Sequence, residues 1–598
     1  MKESTDATTA SGGPIGNAIR SLGIHLNSAQ KRKMAGMVVL IFISAVLDVF
    51  GLASILPLVK LAAEPAAIHQ HGILQKMYDW FQFTNDKNFL LFIILSVFVF
   101  FIIKSVFGFF VNYLQTRFSA DIAFHITRRQ FNKYFNLDFH NFTSLKSSVI
   151  THHIINNPLS YVTWVVLPLI MIISEGIIVV LIVGGIAFYD AKLFLFIACM
   201  IAPATWLIYA VLRNRSSHIG AEMNRLFPLA LGTLSQTING YIDIKLADKE
   251  TIYRDKFLTI QKQYHRLNMA SYLQNLIPIR ANELVALSGV VLIFIYAIFL
   301  TDNSAEAVVM VSLFAAAAYR LMPSLNRIIS SMVYIRKNQM AMENLNVYPD
   351  LAYDRKEEGP GDPVIFNKNI ELRDLSFHFP GKENLVLNKI RLEIKKGEKI
   401  GIVGASGSGK TTLMNILLRF YTEQNGQVLV DGVPLKENHV RSWRSMIGYV
   451  KQDIFLMDAS IRENITFGED HVDEDLLNKA ISQASLDELI DSLPEGLDSP
   501  IGERGSRLSG GQRQRISIAR SLYRNASVLI FDEATSALDN QTEQEVSEAI
   551  DSLSDSHKTI FIIAHRITTL RNCDRIYELK DGKVEGVYSY QELIEKVI

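Results

Sequence analysis

Residues 404–411 read G-A-S-G-S-G-K-T, small residues and glycines ahead of a lysine and a hydroxyl. Gly404, Ala405, Ser406, Gly407, Ser408 and Gly409 carry little or no side chain, so their backbone N–H groups can approach an anion closely. A helix opening at Lys410 would add its positive end to the same place. Lys410 then reaches the β and γ phosphates of a bound nucleotide, Thr411 offers a hydroxyl to Mg²⁺, and Thr412 continues the same turn. Further along, S-V-L-I-F-D-E ends an apolar run on Asp532 and Glu533. A carboxylate there can hold Mg²⁺ through water, and its neighbour can orient and deprotonate an attacking water. Two acids after an apolar strand are more often an ordinary strand end. Combined with the phosphate loop, they make a candidate hydrolytic site.

That chemistry needs strands and helices to hold it. The sequence predicts a strand over 399–403, a helix from Lys410 with Leu413, Ile416, Leu417 and Phe420 on one face, and buried strands over 527–531 and 559–563. Alternating apolar residues over 370–379 predict another strand, and the Pro-, Gly- and charge-rich stretch 347–363 reads as a linker. Everything after it is read as a soluble α/β domain.

The first half solves a different solvent problem. The chain has 598 residues, 60 Lys+Arg against 60 Asp+Glu and 49% hydrophobic residues, with a mean hydropathy of +0.18. Balanced charge provides no bulk field for nucleic acid, and the apolar content excludes disorder. Two cysteines, Cys199 and Cys573, exclude a disulfide framework and a thiolate metal cage. The apolar residues concentrate in runs at 34–59, 88–114, 160–188, 193–212 and 284–300, each with at most one charge. Each is of the length a bilayer crossing needs, about 20 residues. A sixth run, 307–319, extends through Arg320 to Leu325. Lys31, Arg32 and Lys33 ahead of the first run, and Arg117, Arg128, Arg129, Lys133 and Lys146 between the second and third, assign those segments to the cytoplasmic side. The mostly polar first 33 residues fit no secretory signal peptide.

The fold class that follows is an all-α six-helix transmembrane domain fused to an α/β P-loop NTPase domain. Its expected organisation is a cytoplasmic segment 1–33, a six-span domain 34–346, a linker 347–365 and a nucleotide-binding domain 366–598, with both termini cytoplasmic and the protein in the cytoplasmic membrane. In the first outer loop Ile73, Leu74, Met77, Trp80 and Phe81 recur at helical spacing, which predicts a short amphipathic helix. It could pack on the protein's own loops or meet lipid.

Residues 508–512 read L-S-G-G-Q, and the same ordered set includes Gln452 in Y-V-K-Q-D, Asp539 in S-A-L-D and His565 in I-A-H-R. On these motifs the carboxyl-terminal region resembles the nucleotide-binding domain of ATP-binding cassette (ABC) transporters, and the whole chain resembles an exporter-type half-transporter. The resemblance implies an ATP-hydrolysing translocase that uses ATP and Mg²⁺. It implies that Phe379, in F-H-F-P, stacks on adenine, that Gln452 contacts Mg²⁺ or the water, and that His565 contacts the γ-phosphate. Ser509, Gly510, Gly511, Gln512 and Asp539 belong to the implied nucleotide set, with Ser509 and Gly511 closing on the γ-phosphate held by an opposite subunit. Because one chain carries one loop and one signature, two chains complete a pair of sites. Intact Glu533 and His565 favour a homodimer, with a heterodimer left open. One departure stands out: Pro500 occupies the position where the exporters usually carry an acid, ahead of G-E-R-G at 502–505. The resemblance further implies coupling helices near 144–151 and 234–243.

Ionisable residues at membrane depth are costly and mark sites by default. Asp48 and Glu175 fall near mid-membrane, and Lys104, Arg280, Glu283 and Arg320 toward the inner leaflet. Lys104, Arg280, Arg320 and Arg327 are the candidate cargo contacts; Arg320 and Arg327 share a helix face with Pro323 between them. A cationic inner-leaflet pocket would suit an anionic headgroup such as a diphosphate. The ordinary alternatives are an Arg280–Glu283 pair and snorkelling to headgroups. The outer-loop helix and the run A-A-A-A-Y-R-L-M-P-S-L-N-R-I at 315–328 make the membrane half resemble the PglK-type flippases of lipid-linked oligosaccharides. That resemblance implies a lipid-linked glycan or other membrane lipid as cargo. A multidrug or peptide exporter is the alternative, and a nucleotide-gated channel or regulator a more distant one. The roughly 33 residues ahead of the first run are too few for a peptidase domain.

Overall fold

The computed structural model describes residues 13–63, 72–189, 191–300, 304–345, 361–533, 540–552, 558–564 and 566–597. They form two units: the chain up to 354 without Asp138–His140, and Asp138–His140 together with the chain from 355 onward.

The amino-terminal half is helical. In order it contains α1 (Pro14–His25), α2 (Ser28–Ala63), α3 (Gly72–Trp80), α4 (Asp86–Phe135), α5 (Phe139–Ser144), α6 (Ser147–Thr151), α7 (Asn157–Tyr161), α8 (Leu167–Tyr189), α9 (Ala191–Asn239), α10 (Tyr241–Leu246), α11 (Glu250–Leu300), α12 (Ser304–Lys337) and α13 (Gln339–Asn344). Two π-helical turns, His152–Asn156 and Val162–Val166, join α6, α7 and α8 into one rod. Among the described residues five helices are long and apolar enough to cross a membrane, within 28–51, 86–135, 147–188, 194–239 and 250–292. These contain the first five expected runs in whole or in part. The sixth falls on α12, where the side chains of 304–313 lie outside the described set.

The helices are far longer than the apolar runs. α4, α9 and α11 hold 50, 49 and 51 residues, about 75 Å at 1.5 Å per residue, against a hydrocarbon core of about 30 Å. Hydrogen bonding continues unbroken where hydropathy ends: α4 passes from Leu114 through Arg117, Asp121 and Arg128 without a break. Two short helices lie next to the expected coupling segments. They lie at Phe139–Ser144 and Tyr241–Leu246, whereas residues 147–151 begin the next rod and 234–239 are still inside α9.

Packing within this unit centres on α12, which contacts α8, α9 and α11. Gly289 on α11 lets Phe314 of α12 and Met200 of α9 come so close that a Cβ at 289 would overlap the Phe314 ring. Small residues serve membrane helices this way, since apolar surface alone gives no preference for protein over lipid. On α4, Phe98, Ile102, Val106 and Phe109 point outward and exposed, the inverse of a soluble helix. Between α2 and α4, α3 packs by Leu74, Met77 and Tyr78, with Phe83, around buried Phe89 at the start of α4. The helix therefore rests on its own chain, while Trp80 stays 80% exposed.

The second unit has two sheets. β1 (Asn369–Phe377), β2 (Leu387–Lys395), β4 (Asn425–Val430) and β5 (Val433–Pro434) form an antiparallel sheet in the order β2-β1-β4-β5. β3 (Lys399–Val403), β6 (Ile447–Val450), β7 (Val528–Asp532), β8 (Thr559–Ile563), β9 (Arg575–Lys580) and β10 (Lys583–Tyr588) form the order β10-β9-β3-β8-β7-β6, parallel except for β9–β10. Its helices are α14 (Lys410–Leu417), α15 (Val440–Ser445), α16 (Ile461–Thr466), α17 (Glu474–Gln483), α18 (Asp487–Ser492), α19 (Gly510–Tyr523), α20 (Asn540–Ser552) and α21 (Tyr590–Val597). The central strands bury both faces, which explains their continuous apolar runs. Val528 and Ile530 of β7, with Phe561 and Ile563 of β8, join a core shared with β1, β2 and α14. Leu529, Phe531, Ile560 and Ile562 face a second core with α16, α17 and α19. The period of two along each strand sorts neighbours to opposite faces.

Candidate functional site

The parallel register brings the motifs together. Ile402 of β3 lies opposite Ile563 of β8, Asp532 of β7 opposite the same Ile563, and Val450 of β6 opposite Phe531. Each of these strands therefore ends at one edge of the sheet, and the loops that follow carry residues 404–411, Asp532 and Glu533, and Gln452. Gln452 stands two residues beyond Val450, and Glu533 two beyond Phe531, so the register carries them to the same level. Carboxyl ends of parallel strands are where such sheets take ligands. Asp539 and His565 fall outside the described residues; β8 leads into Ala564, one position before His565.

The phosphate loop is shaped by backbone that only glycine accepts easily. Gly404, Gly407 and Gly409 have φ of 155°, 83° and 106°. A Cβ at 409 would lie 2.7 Å from Leu387 Cδ2 and 3.2 Å from the Val386 carbonyl. The loop is also braced from the β9–β10 turn, where Gly582 N–H donates to the Ser408 carbonyl at 3.2 Å. Lys410, at the first position of α14, donates from Nζ to the Gly404 carbonyl at 2.7 Å and the Ala405 carbonyl at 3.2 Å. The loop thus curls around the ammonium. Burial holds the Lys410 ammonium below the ordinary lysine range, while Glu533 and Asp532 act to raise it. Ser408 Oγ is buried with no hydrogen-bond partner among the described residues. At the other end of α14, Trp443 Nε1 donates to the Leu417 carbonyl at 2.7 Å, and Arg444 takes the Leu418 and Arg419 carbonyls at 3.0 and 2.8 Å. These three carbonyls would otherwise be helix-end orphans.

Asp532 has a partner that sequence reasoning passed over. Tyr449, in the Y-V-K-Q-D run, donates its hydroxyl to Asp532 Oδ2 at 2.7 Å. Burial and the bonded Asp532 carboxylate push the Tyr449 phenol upward, so it remains a donor at neutral pH. Glu533 leaves the strand in a left-handed conformation, φ 52°, with its N–H donating to the Ile563 carbonyl at 3.0 Å. A non-glycine residue there costs about 1 kcal/mol or more, a strain typical of functional positions. Thr411, Asp532 and Gln452 all offer oxygen, the donor type a hard cation such as Mg²⁺ prefers.

Phe379 follows β1, half-buried. Its ring meets Phe377 edge-on at 5.4 Å and Tyr421 at 5.6 Å, leaving a supported aromatic platform. Ser509 caps α19 reciprocally: its N–H donates to Gln512 Oε1 at 2.8 Å, and its Oγ accepts from Gln512 N–H at 3.3 Å. The spacing Ser-x-x-Gln ahead of a helix is a capping-box signal present in L-S-G-G-Q itself. From the same helix Arg520 donates to the Asn464 and Phe455 carbonyls at 2.7 and 2.9 Å, tying α19 to the segment that follows Gln452. Pro500 forms a bridge with Ser460, and Ile501 N–H donates to the Ala459 carbonyl at 3.1 Å. Proline therefore replaces the usual acid at a point held by main chain.

The membrane charges do not stand as a bare cationic pocket. Asp48 on α2 receives Lys104 Nζ from α4 and Arg320 Nη2 from α12, each at 2.7 Å. Glu175 on α8, its side chain 3% exposed, accepts from Arg327 at 2.5 Å and from Ser324 Oγ at 2.6 Å. Arg280 pairs with Glu283 at 3.0 Å on the exposed face of α11, the ordinary arrangement its spacing allowed. All four candidate cargo contacts thus have acidic partners, contributed for three of them by distant helices.

Comparison with known proteins agrees with both halves. Residues 387–536 match the family described as ABC transporter, and 54–322 the ABC transporter transmembrane region. The chain is 35% identical over 441 residues to an ATP-dependent lipid A-core flippase of Francisella novicida, covering 72% of each. It is 29% identical over 487 residues to a Burkholderia orbicola protein of the same description, covering 81% of each. A solved bacterial Atm1-family ABC exporter with ATP bound superposes with a TM-score of 0.75 at 22% identity, covering 96% of this chain and 97% of that one. The chain belongs to the ABC transporters, as an exporter-type half-transporter in which a helical membrane domain is fused to an ATP-hydrolysing domain.

Proposed function

We propose that this transporter uses ATP to move an amphipathic lipid with an anionic headgroup, a lipid-linked oligosaccharide or a related glycolipid, across the cytoplasmic membrane. The observation that carries the reading is the convergence of Lys104 and Arg320 on one carboxylate, Asp48, within an apolar helix long enough to cross a membrane. The lipid A-core flippase relatives support the lipid class. Both termini lie on the cytoplasmic side, and two identical chains supply paired sites.

In the hydrolytic step the phosphate loop 404–411 cradles the nucleotide phosphates through N–H groups and Lys410. Phe379 supports the base. Thr411, Asp532 and Gln452 would hold Mg²⁺, which would supply charge neutralisation at the phosphate oxygens. Tyr449 fixes the Asp532 carboxylate, Glu533 orients and deprotonates the attacking water, and His565 contacts the γ-phosphate. Ser509 and Gly511 of the opposite chain close over it, with Gly510, Gln512 and Asp539 shaping the same surface. Closure of the two nucleotide domains then switches access to the membrane cavity.

The test is reconstitution in liposomes with labelled anionic glycolipid in one arm and apolar drugs in the other. The reading expects ATP-dependent lipid movement that Arg320→Ala reduces at least tenfold. Drug-stimulated turnover indifferent to Arg320→Ala would replace it with a multidrug exporter.

A further inference from the structure

The charges at membrane depth do not balance evenly. Glu175 and Arg327 cancel, as do Arg280 and Glu283. At Asp48 one carboxylate faces two cations, each on a different oxygen: Lys104 on Oδ1 and Arg320 on Oδ2. One positive charge is left over, in a medium where an unmatched charge is expensive.

The triad is also built to be reached. Its side chains remain 21%, 22% and 20% exposed for Asp48, Lys104 and Arg320. Gly51, one turn beyond Asp48, leaves space for the lysine, since a Cβ there would lie 3.3 Å from Lys104 Nζ. The Phe101 ring, 5.1 Å from that Nζ, holds the ammonium from another side. The guanidinium uses one nitrogen on Asp48, and its other nitrogens have no acceptor among the described residues. A planar fork with unused donors suits a phosphate oxygen.

We propose that Asp48 is the specificity-determining residue of this site: it cancels one of the two cations, so that the triad recognises a phosphate group bearing a single negative charge and discriminates against a doubly charged one. The inference rests on the anionic-lipid reading above and adds the charge rule. With Asp48 in place, a phosphodiester balances the triad, whereas a dianionic phosphomonoester brings one charge too many beside the carboxylate. Substitution to asparagine preserves shape and removes the discrimination.

The experiment uses the full-length protein in nanodiscs of phosphatidylcholine doped with either phosphatidylglycerol, a monoanionic phosphodiester, or phosphatidic acid at a pH where it is largely dianionic. Lipid retained by the protein is read by native mass spectrometry, independent of ATP turnover. Wild type is expected to retain phosphatidylglycerol over phosphatidic acid. Asp48→Asn is expected to shift that ratio about tenfold toward phosphatidic acid, the weight of one charged hydrogen bond, and Asp48→Asn with Lys104→Gln to restore the wild-type order. Should Asp48→Asn not yield folded protein, Lys104→Gln alone, which leaves the site neutral, is expected to lose the retention of either anionic lipid over phosphatidylcholine. An unchanged ratio in Asp48→Asn, or no anionic lipid retained by wild type, overturns the inference. Competition by soluble glycerophosphoglycerol, a monoanionic phosphodiester, equal to that of the lipid would support the charge rule and assign the phosphate to a soluble source. Retention in the expected order without any lipid translocation would leave the charge rule standing and defeat the transport reading.

Discussion

The nucleotide site and the membrane charge cluster are assembled by opposite means. At the nucleotide site a few short motifs lie at the ends of adjacent parallel strands, so the sheet register itself aligns them. In the membrane unit Asp48, Lys104 and Arg320 come singly from α2, α4 and α12, and only the packing of those helices makes them a site. Local motifs can be recognised one by one. A cluster built from isolated charges acquires its meaning from its partners, and here the partner is one acid, Asp48, that halves the charge of the two cations.

The contrast can be broken most sharply at Glu533. Glu533→Gln should retain ATP binding while steady-state hydrolysis falls roughly 100-fold or more, the usual weight of a general base; unaltered hydrolysis would remove Glu533 from the site. Next in size is Arg327→Ala, which leaves Glu175 buried with only Ser324. Arg327 is itself partly exposed, so the cost is set at about 2 kcal/mol, below the range for a fully buried pair, read as a lowered unfolding midpoint in detergent. The matching change Arg280→Ala, on an exposed pair, should shift stability by less than about 0.5 kcal/mol. Equal effects of the two would mean that burial does not distinguish these pairs. Tyr449→Phe removes one hydrogen bond from Asp532 and should reduce turnover about fivefold, equivalent to about 1 kcal/mol, with stability little changed. Of similar size is Ser509→Ala, which loses the cap of α19 and should lower the stability of the nucleotide-binding domain by about 1 kcal/mol, measured by denaturant titration.

What could be read from residue order alone follows the same division. The strands at 399–403, 527–531 and 559–563 and the start of the helix at Lys410 fall within a residue of the observed elements, because buried parallel strands are apolar without interruption and the glycine loop punctuates them; that helix ends at Leu417, short of Phe420, which was expected on its face. The lengths of α4, α9 and α11 were illegible to hydropathy, which ends at the membrane surface while the backbone hydrogen bonds continue. The short helices Phe139–Ser144 and Tyr241–Leu246 overlap the expected coupling segments 144–151 and 234–243 only at their edges. Tyr449 was in plain view beside Gln452, yet its bond to Asp532 depends on which faces β6 and β7 share. The Asp48 triad spans α2 to α12, and no local pattern links residues that far apart.

The central claim is that hydrolysis at the sheet edge drives an anionic lipid past the membrane charges. It is tested most directly by following a fluorescent anionic glycolipid in proteoliposomes of purified protein, with wild type and Glu533→Gln side by side. The account predicts that ATP with Mg²⁺ moves the lipid in wild type and that Glu533→Gln, though it binds ATP, moves none above the ATP-free background. Equal movement by both proteins, or movement in wild type without ATP, would contradict it.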